Sequence, residues 1–283
     1  MPFPAFPKTL FDNHLHPSGL TWHPAYSPLD TAIQPEAIAK LAHFHQYPAL
    51  RKDWHRWCHR ELYRAARGNT RWRPETELAF LPPLSLEELP DVFKMELFYP
   101  HLGVQAHTLS LQAAQNKGFQ TVTQFCNWLD GDWLTHYVFT QLQRVARTMP
   151  IQEARFAFRL HSPHHSYRLW EKFGINLMFL YQDHLFALAC TPSDRLPFCQ
   201  QHLQTASEQL QHIQSATALN PHLGLICCSP NPDILQSTVD RAIAASFLLC
   251  GQPDLRSVGA KIAHWIKNST SARTHILHQT PEG

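Results

Sequence analysis

Glycine is scarce, 10 in 283 residues, and charged residues make up 16 % of the chain, against roughly a quarter in average soluble proteins. The sequence holds no G-x-x-x-x-G-K-[ST], no G-x-G-x-x-G after a strand, no G-x-S-x-G and no H-E-x-x-H, so the common nucleotide-loop, serine-hydrolase and zincin chemistries lose their signatures. The seven cysteines are odd in number and form no C-x-x-C pair, which argues against a disulfide framework and for reduced, buried thiols in a reducing compartment. Long apolar runs are missing as well. The stretch Ile243 to Cys250 is far short of the roughly 20 residues a bilayer needs, and Met1-Pro2-Phe3-Pro4-Ala5-Phe6-Pro7-Lys8 lacks the basic-then-apolar order of a signal peptide. The expectation is a cytoplasmic protein without a membrane partner.

Against these absences stand 44 % hydrophobic residues, 22 prolines and 20 histidines, nearly as many histidines as the 22 carboxylates. Such a chain buries a core without staples and is not intrinsically disordered. With 24 basic against 22 acidic residues the formal charge is +2, so no global field draws it onto nucleic acid or lipid, and an anionic partner must meet a local patch.

Residues 1–30 contain six prolines with Phe3, Phe6, Phe11, Trp22 and Tyr26 between them, which predicts an extended arm through which neither helix nor sheet ladder runs. From 31 to 149 the apolar spacing is helical. Helices are expected over about 33–45, 49–67, 104–117, 122–129 and 133–148, with a short or kinked one after the capping-box spacing Ser85-Leu86-Glu87-Glu88. The period changes at Pro150. Strands are expected at 154–161, 175–181, 184–190 and 223–228, with a hairpin at Gln182-Asp183 and helices at about 166–173, 197–219, 232–250 and 254–268. This order reads as an α+β protein: a helical domain (31–149), then an α+β domain (150–283) with a ferredoxin-like βαββαβ core and two C-terminal helices.

Chemistry concentrates first between Arg51 and Arg73, where eight Lys/Arg stand against two acids. On a helical wheel Arg56, Arg60, Arg64 and Arg67 share one face, with Arg71 beyond it. Guanidinium groups suit carboxylate or phosphate, and Trp57, Tyr63 and Trp72 could stack on bases. The competing structural reading pairs these arginines within the chain to Glu87, Glu88 and Asp91. His55 and His59, four apart on the same helix, could share a Zn or Fe ion if His14, His16, His43, His45 or the His161 cluster supplied further ligands; scattered core and surface histidines are the plainer reading. His161 and His165 follow a strand and open a helix, where acid–base groups are often mounted. Cys227-Cys228 ends a strand and would sense a following helix dipole if exposed.

The leading expectation is a non-catalytic accessory subunit of a multiprotein assembly, its arginine-rich helix contacting an acidic protein surface or nucleic acid. A metal-dependent enzyme with His-ligated Zn or Fe, and a nucleic-acid-processing protein using His161 or His165, are the alternatives.

Overall fold

A computed structural model describes residues 21–24, 35–67, 84–102, 108–109, 128–156, 158–161, 173–236 and 247–277. In chain order its elements are β1 (Thr21–Pro24), α1 (Pro35–Phe44), α2 (Pro48–Arg67), β2 (Leu84–Ser85), α3 (91–102), β3 (Thr108–Leu109), α4 (Trp133–Val145), β4 (Glu153–Phe156) and β5 (Phe158–His161). There follow β6 (Leu177–Tyr181), β7 (His184–Thr191), α5 (Leu196–Ala216), β8 (Asn220–Cys227), the single turn α6 (Asp233–Gln236), β9 (Leu248–Cys250) and α7 (Val258–Leu277). The chain divides into two compact units, residues 26–137 and residues 1–25 with 138–283. The change of period at Pro150 therefore falls inside the second unit.

The first unit is built on α1 and α2, whose apolar positions recur at helical spacing. Ala37, Ile38, Leu41 and Phe44 of α1 and Trp54, Trp57 and Cys58 of α2 are buried. They meet Phe93 and Phe98 of α3 in an aromatic core: Trp54 lies 5.3 Å from Phe93, and Trp57 lies 5.5 Å from Phe98. Rings of this size bury large apolar areas, and offset or edge-on contacts add to that burial. The Ser85 capping box does not open a helix. Ser85 Oγ instead accepts the Glu87 N–H at 3.3 Å within a turn, and α3 starts after Pro90, which is extended (φ −52, ψ 141), because proline fits best where no intrahelical N–H is required. From Lys94 to Phe98 the helix widens to π geometry. The helix expected over 104–117 is not supported at Thr108–Leu109, which pairs antiparallel with β2; the rest of that range and most of 122–129 lie outside the described residues.

The second unit carries a five-stranded sheet in the order β4-β6-β7-β8-β9. Its mixed α+β class matches the expectation, and so does the β6–β7 hairpin, which turns at Gln182 with φ +56. The ferredoxin-like arrangement is not what the pairing shows. A split βαβ unit sets another strand between its two parallel strands, whereas β7 and β8 pair directly and in parallel, with α5 as their crossover. A second difference lies in 232–250, expected as one helix. Only Asp233–Gln236 of the described part is helical, while Leu248–Cys250 pairs parallel to β8 and extends the sheet. A short apolar run such as Phe247 to Cys250 has no period by which strand and buried helix can be told apart.

The stretch 154–161, expected as one strand, serves two sheets. Glu153–Phe156 pairs with β6, and Phe158–His161 pairs with β1. That second pairing corrects the expectation for the arm, since Thr21–Pro24 does form a ladder; its proline sits at the strand end, where the missing donor costs least. The rest of 1–30 lies outside the described residues. Strand alternation then sorts the core. Met178, Leu180, Leu185, Ala187, Leu223 and Leu225 face Leu203, Ala206, Leu210 and Ile213 of α5, and the opposite parity, Phe179, Phe186 and His222, meets Trp265 of α7. Gly174 has φ +104, and a Cβ there would lie 2.3 Å from Gln209 Oε1, so the turn before β6 requires glycine twice over.

Candidate functional site

The helix α2 carries the sequence's most concentrated charge, and its burial pattern decides which cations face outward. Trp54, Trp57 and Cys58 are buried, and so are Arg51 and Glu61. Lys52, Arg56 and His59 are exposed, and Arg60 lies between the two classes. Trp57 is therefore no stacking platform: it is 2 % exposed, and its Nε1–H donates to the Ser85 carbonyl at 2.7 Å.

The arginines expected to act together do different jobs. Arg60 is committed within the chain. Its Nε meets Glu61 Oε1 at 3.2 Å and its Nη1 pairs with Glu88, the intramolecular pairing that competed with partner binding. Glu61 in turn accepts the Ser85 N–H on Oε2 at 2.9 Å. Arg60 thus neutralises a buried carboxylate that holds the β2 turn, an arrangement in which removing one partner strands the other's charge. Arg56 makes an exposed contact to Asp53 at 3.3 Å, of the weak, screened kind. Lys94, rather than an arginine, takes Asp91, at 3.0 Å. The backbone of α2 continues through Arg64 and Arg67; Arg71 lies outside the described residues.

The histidines His55 and His59 differ in exposure. His59 is exposed and His55 is partly buried, and His55 lies edge-on to His45 at 5.7 Å. His45 is fully buried. Its Nδ1–H donates to the Leu41 carbonyl at 2.8 Å, which leaves the Nε2 lone pair without a hydrogen-bond partner among the described residues. Burial lowers its pKa to about 3, with the nearby His55 and Arg51 pushing the same way and the Leu41 bond opposing them. His136 is lowered to about 4 by burial. Both are neutral at pH 7. Among the described residues no group of three or more His, Cys, Asp or Glu is placed to hold a metal ion. His161 ends β5, and His165 lies outside the described residues.

The parallel strands β7, β8 and β9 supply a second region, since open sheets of this kind place ligands beyond the carboxyl ends of their strands. The loops there are tied together by backbone. Cys228 N–H donates to the Ser193 carbonyl at 3.2 Å, and Gln252 N–H donates to the Ser229 carbonyl at 2.8 Å. Gly251 leaves no room for a side chain, a Cβ falling 2.7 Å from the Ser229 carbonyl oxygen. Cys199, Cys227, Cys228 and Cys250 cluster here as buried thiols. A side-chain hydrogen bond with Cys227, then burial, pushes the Cys199 thiol far up, and burial with the Asp254 charge pushes Cys250 up to about 12. Cys227 and Cys228 are both fully buried, so packing rather than nucleophilicity describes them.

Sequence reasoning did not single out three of the buried histidines. His136, His184 and His222 are all within 9 % of full burial, and nothing in their spacing distinguishes them from the exposed His59, whereas the buried His45 continues the apolar spacing of Ala37, Ile38 and Leu41. The nearest signal is the apolar alternation around His222, which continues through Gly224 and Ile226.

No helix among the described residues is long and apolar enough to cross a membrane. No family model matches the chain, and no curated protein matches it. Among solved structures, the chain is similar to protein VC1899 from Vibrio cholerae, with 13 % identity and a TM-score of 0.49 over 89 % of this chain and 60 % of that one. It is similar also to Can2 from Sulfobacillus thermosulfidooxidans in complex with cyclic tetra-adenylate, with 14 % identity and a TM-score of 0.49 over 88 % of this chain and 58 % of that one. The chain spans about three-fifths of the length of each.

Proposed function

We propose that this protein is a non-catalytic binding subunit that holds an anionic partner, an acidic protein surface or a nucleic acid, against the outer face of α2. The observation that carries the reading is the sorting of that helix. Trp54, Trp57, Cys58 and Glu61 are turned inward, so Lys52 and Arg56 are set outward on a 20-residue helix. Arg56 keeps its guanidinium mostly in water, with 62 % of the side chain exposed; its weak tie to Asp53 is easily exchanged for a partner's carboxylate or phosphate. Arg64 and Arg67 extend the same helix. Arg60 is a strut for the contact face rather than a member of it.

The test is fluorescence anisotropy on the full chain with three anionic probes: a labelled single-stranded RNA, a poly-glutamate peptide and cyclic tetra-adenylate, the ligand in one of the two solved structures above. Binding by at least one probe is expected, weakened about tenfold or more by Lys52→Glu with Arg56→Glu. For RNA the affinity falls linearly on a log–log salt plot, and the double variant has the shallower slope. Binding unaffected by the double variant, or no binding by any probe, removes α2 as the contact.

A metal-dependent enzyme has one observation in its favour, the closeness of His45 and His55 with His45 Nδ1 held by a carbonyl, the orientation that metal-ligating histidines usually show. Elemental analysis of chelator-free protein tests it. About one Zn or Fe per chain, lost in His45→Phe, would support the metal reading; protein without metal would remove that pair.

A further inference from the structure

On the α7 side of the sheet, near the amino-terminal ends of β7 and β8, two buried histidines bond to each other. His184 opens β7 and His222 is the third residue of β8; they are 4 % and 8 % exposed. Their Nδ1 and Nε2 atoms are 2.7 Å apart, and the rings stack at 5.0 Å and 21°. His222 also stacks on Phe186 at 4.7 Å. Trp265 of α7 packs edge-on against Phe186 at 4.8 Å and His222 at 6.4 Å. The other nitrogen of His184 faces Asp183 Oδ1 at 3.3 Å, while Asp183 Oδ2 accepts from Asn220 at 2.9 Å.

Proton counting follows from that one bond. An imidazole–imidazole hydrogen bond needs an N–H on one ring and a lone pair on the other. Two neutral rings satisfy it, and so does one cation beside one neutral ring, with Asp183 placed to favour the cation on His184. Two cations do not: each then presents an N–H to the other, and two like charges share an aromatic box shielded from water. In the folded protein the pair takes up at most one proton, whereas two separated imidazoles, titrating near pH 6.5 in water, take up two.

We infer that the His184–His222 pair is an acid-sensitive clasp for the carboxyl-terminal helix α7, closed while one of the two rings is neutral and opened when both are protonated. The unfolded or undocked state binds more protons as pH falls, so the contribution of the clasp is complete above the imidazole range and is lost below it. His136 of α4, whose Gln141 lies against Gly259 of α7, also resists protonation because it is buried, and His202 is buried on α5; the His222→Gln variant separates the pair from both. Around the pair, the hairpin contributes Asp183 and Tyr181, the latter opposite His184 in the ladder, and β8 contributes Asn220. The titratable groups of α7 near Trp265 are engaged elsewhere, Lys261 with Asp254 at 2.5 Å and His264 with Asn268 at 2.9 Å. The titratable residues of α5 belong to the opposite face of the sheet, where its core positions pack.

Amide hydrogen exchange on the full chain, corrected for intrinsic rates, tests the clasp at about pH 7.5 and about pH 5.5, on either side of the imidazole range. Peptides covering α7 are compared with peptides covering α5 in the same unit, and the wild-type ratio is compared with that of His222→Gln, in which every other histidine is unchanged. The wild-type α7 peptides should lose protection relative to α5 by up to about tenfold per pH unit, and in His222→Gln, which keeps a polar partner but does not titrate, the ratio should be flat. A flat ratio in the wild type, or the same acid loss in the variant, overturns the inference. If the variant does not fold, long-range nitrogen–proton spectra of the wild-type imidazoles decide. One ring still neutral at the lower pH supports the clasp, and two doubly protonated rings with α7 still protected refute it.

Discussion

The two long helices α2 and α5 solve the same local problem with different chemistry. Each turns a polar side chain inward to receive a backbone N–H from a neighbouring segment: Glu61 takes the Ser85 N–H of β2 at 2.9 Å, and Gln209 takes the Ile175 N–H before β6 at 2.8 Å. Both side chains are at most 2 % exposed. A neutral amide needs no counter-ion, so α5 is free to carry glutamines on its exposed face, Gln201, Gln204, Gln211 and Gln214 among them. A carboxylate does need one, and Arg60 is consumed in supplying it. The comparison separates the cations of α2 into those the fold requires and those it leaves over, and the proposed function rests on the remainder, Lys52 and Arg56.

The comparison breaks most severely at Gln209→Glu. The substitution is nearly isosteric but sets a charge among Ile175, Gly174 and the α5 core with no described cation beside it, and an uncompensated buried charge costs about 3–5 kcal/mol. Burial raises such a carboxyl above its value near 4.3 in the unfolded chain, so the loss should be present at neutral pH and recover as acid protonates the group. Urea unfolding of variant and wild type at both pH values checks this; a variant equally stable at neutral pH would mean that water reaches Gln209. Next comes Arg60→Met, which leaves Glu61 charged and buried. Because Arg60 is itself about one-third exposed, water screens part of the loss, and about 1–3 kcal/mol is expected. Glu61→Gln, which makes α2 resemble α5 at this position, retains an acceptor for Ser85 and should cost about 1 kcal/mol or less. Arg60→Met added to Glu61→Gln should then cost less than the sum of the two, a coupling that a double-mutant cycle measures directly.

Much of the fold is legible in the sequence, and the gaps have physical causes. The helices around Trp54 and Leu203 announce themselves because a 3.6-residue apolar period sustained over about twenty residues fits an amphipathic helix and little else. The hairpin at Gln182-Asp183 is visible because turn residues separate two apolar runs. The strand at Leu248–Cys250 is hidden because three apolar residues have no period, and the order of the sheet is hidden because apolar alternation marks strands without saying which of them pair. For the site, the helical wheel places Arg56 and Arg60 correctly on one side of α2. It does not show that Glu61, one residue from Arg60, turns inward and takes that arginine with it. Nor does it show that His55 meets His45, because that contact joins α2 to the turn after α1, and their packing is set by Trp54, Phe93 and Phe44, not by any spacing between histidines.

The smallest expected effect is also the one that separates function from fold. Lys52→Glu with Arg56→Glu changes two exposed side chains, removes one weak contact to Asp53 and disturbs nothing in the aromatic core, so stability should stay within about 0.5 kcal/mol of wild type. The charge of the exposed face nevertheless reverses, and an anionic partner meeting it loses attraction that only dissolved salt would otherwise screen. Arg60→Met should show the opposite profile, a clear loss of stability with binding reduced only in proportion to unfolding. Measuring urea midpoints and probe anisotropy on the two variants side by side therefore distinguishes the cations that α2 uses to stand from those it offers to a partner, and equal losses in both readouts for both variants would merge them again into a single structural face.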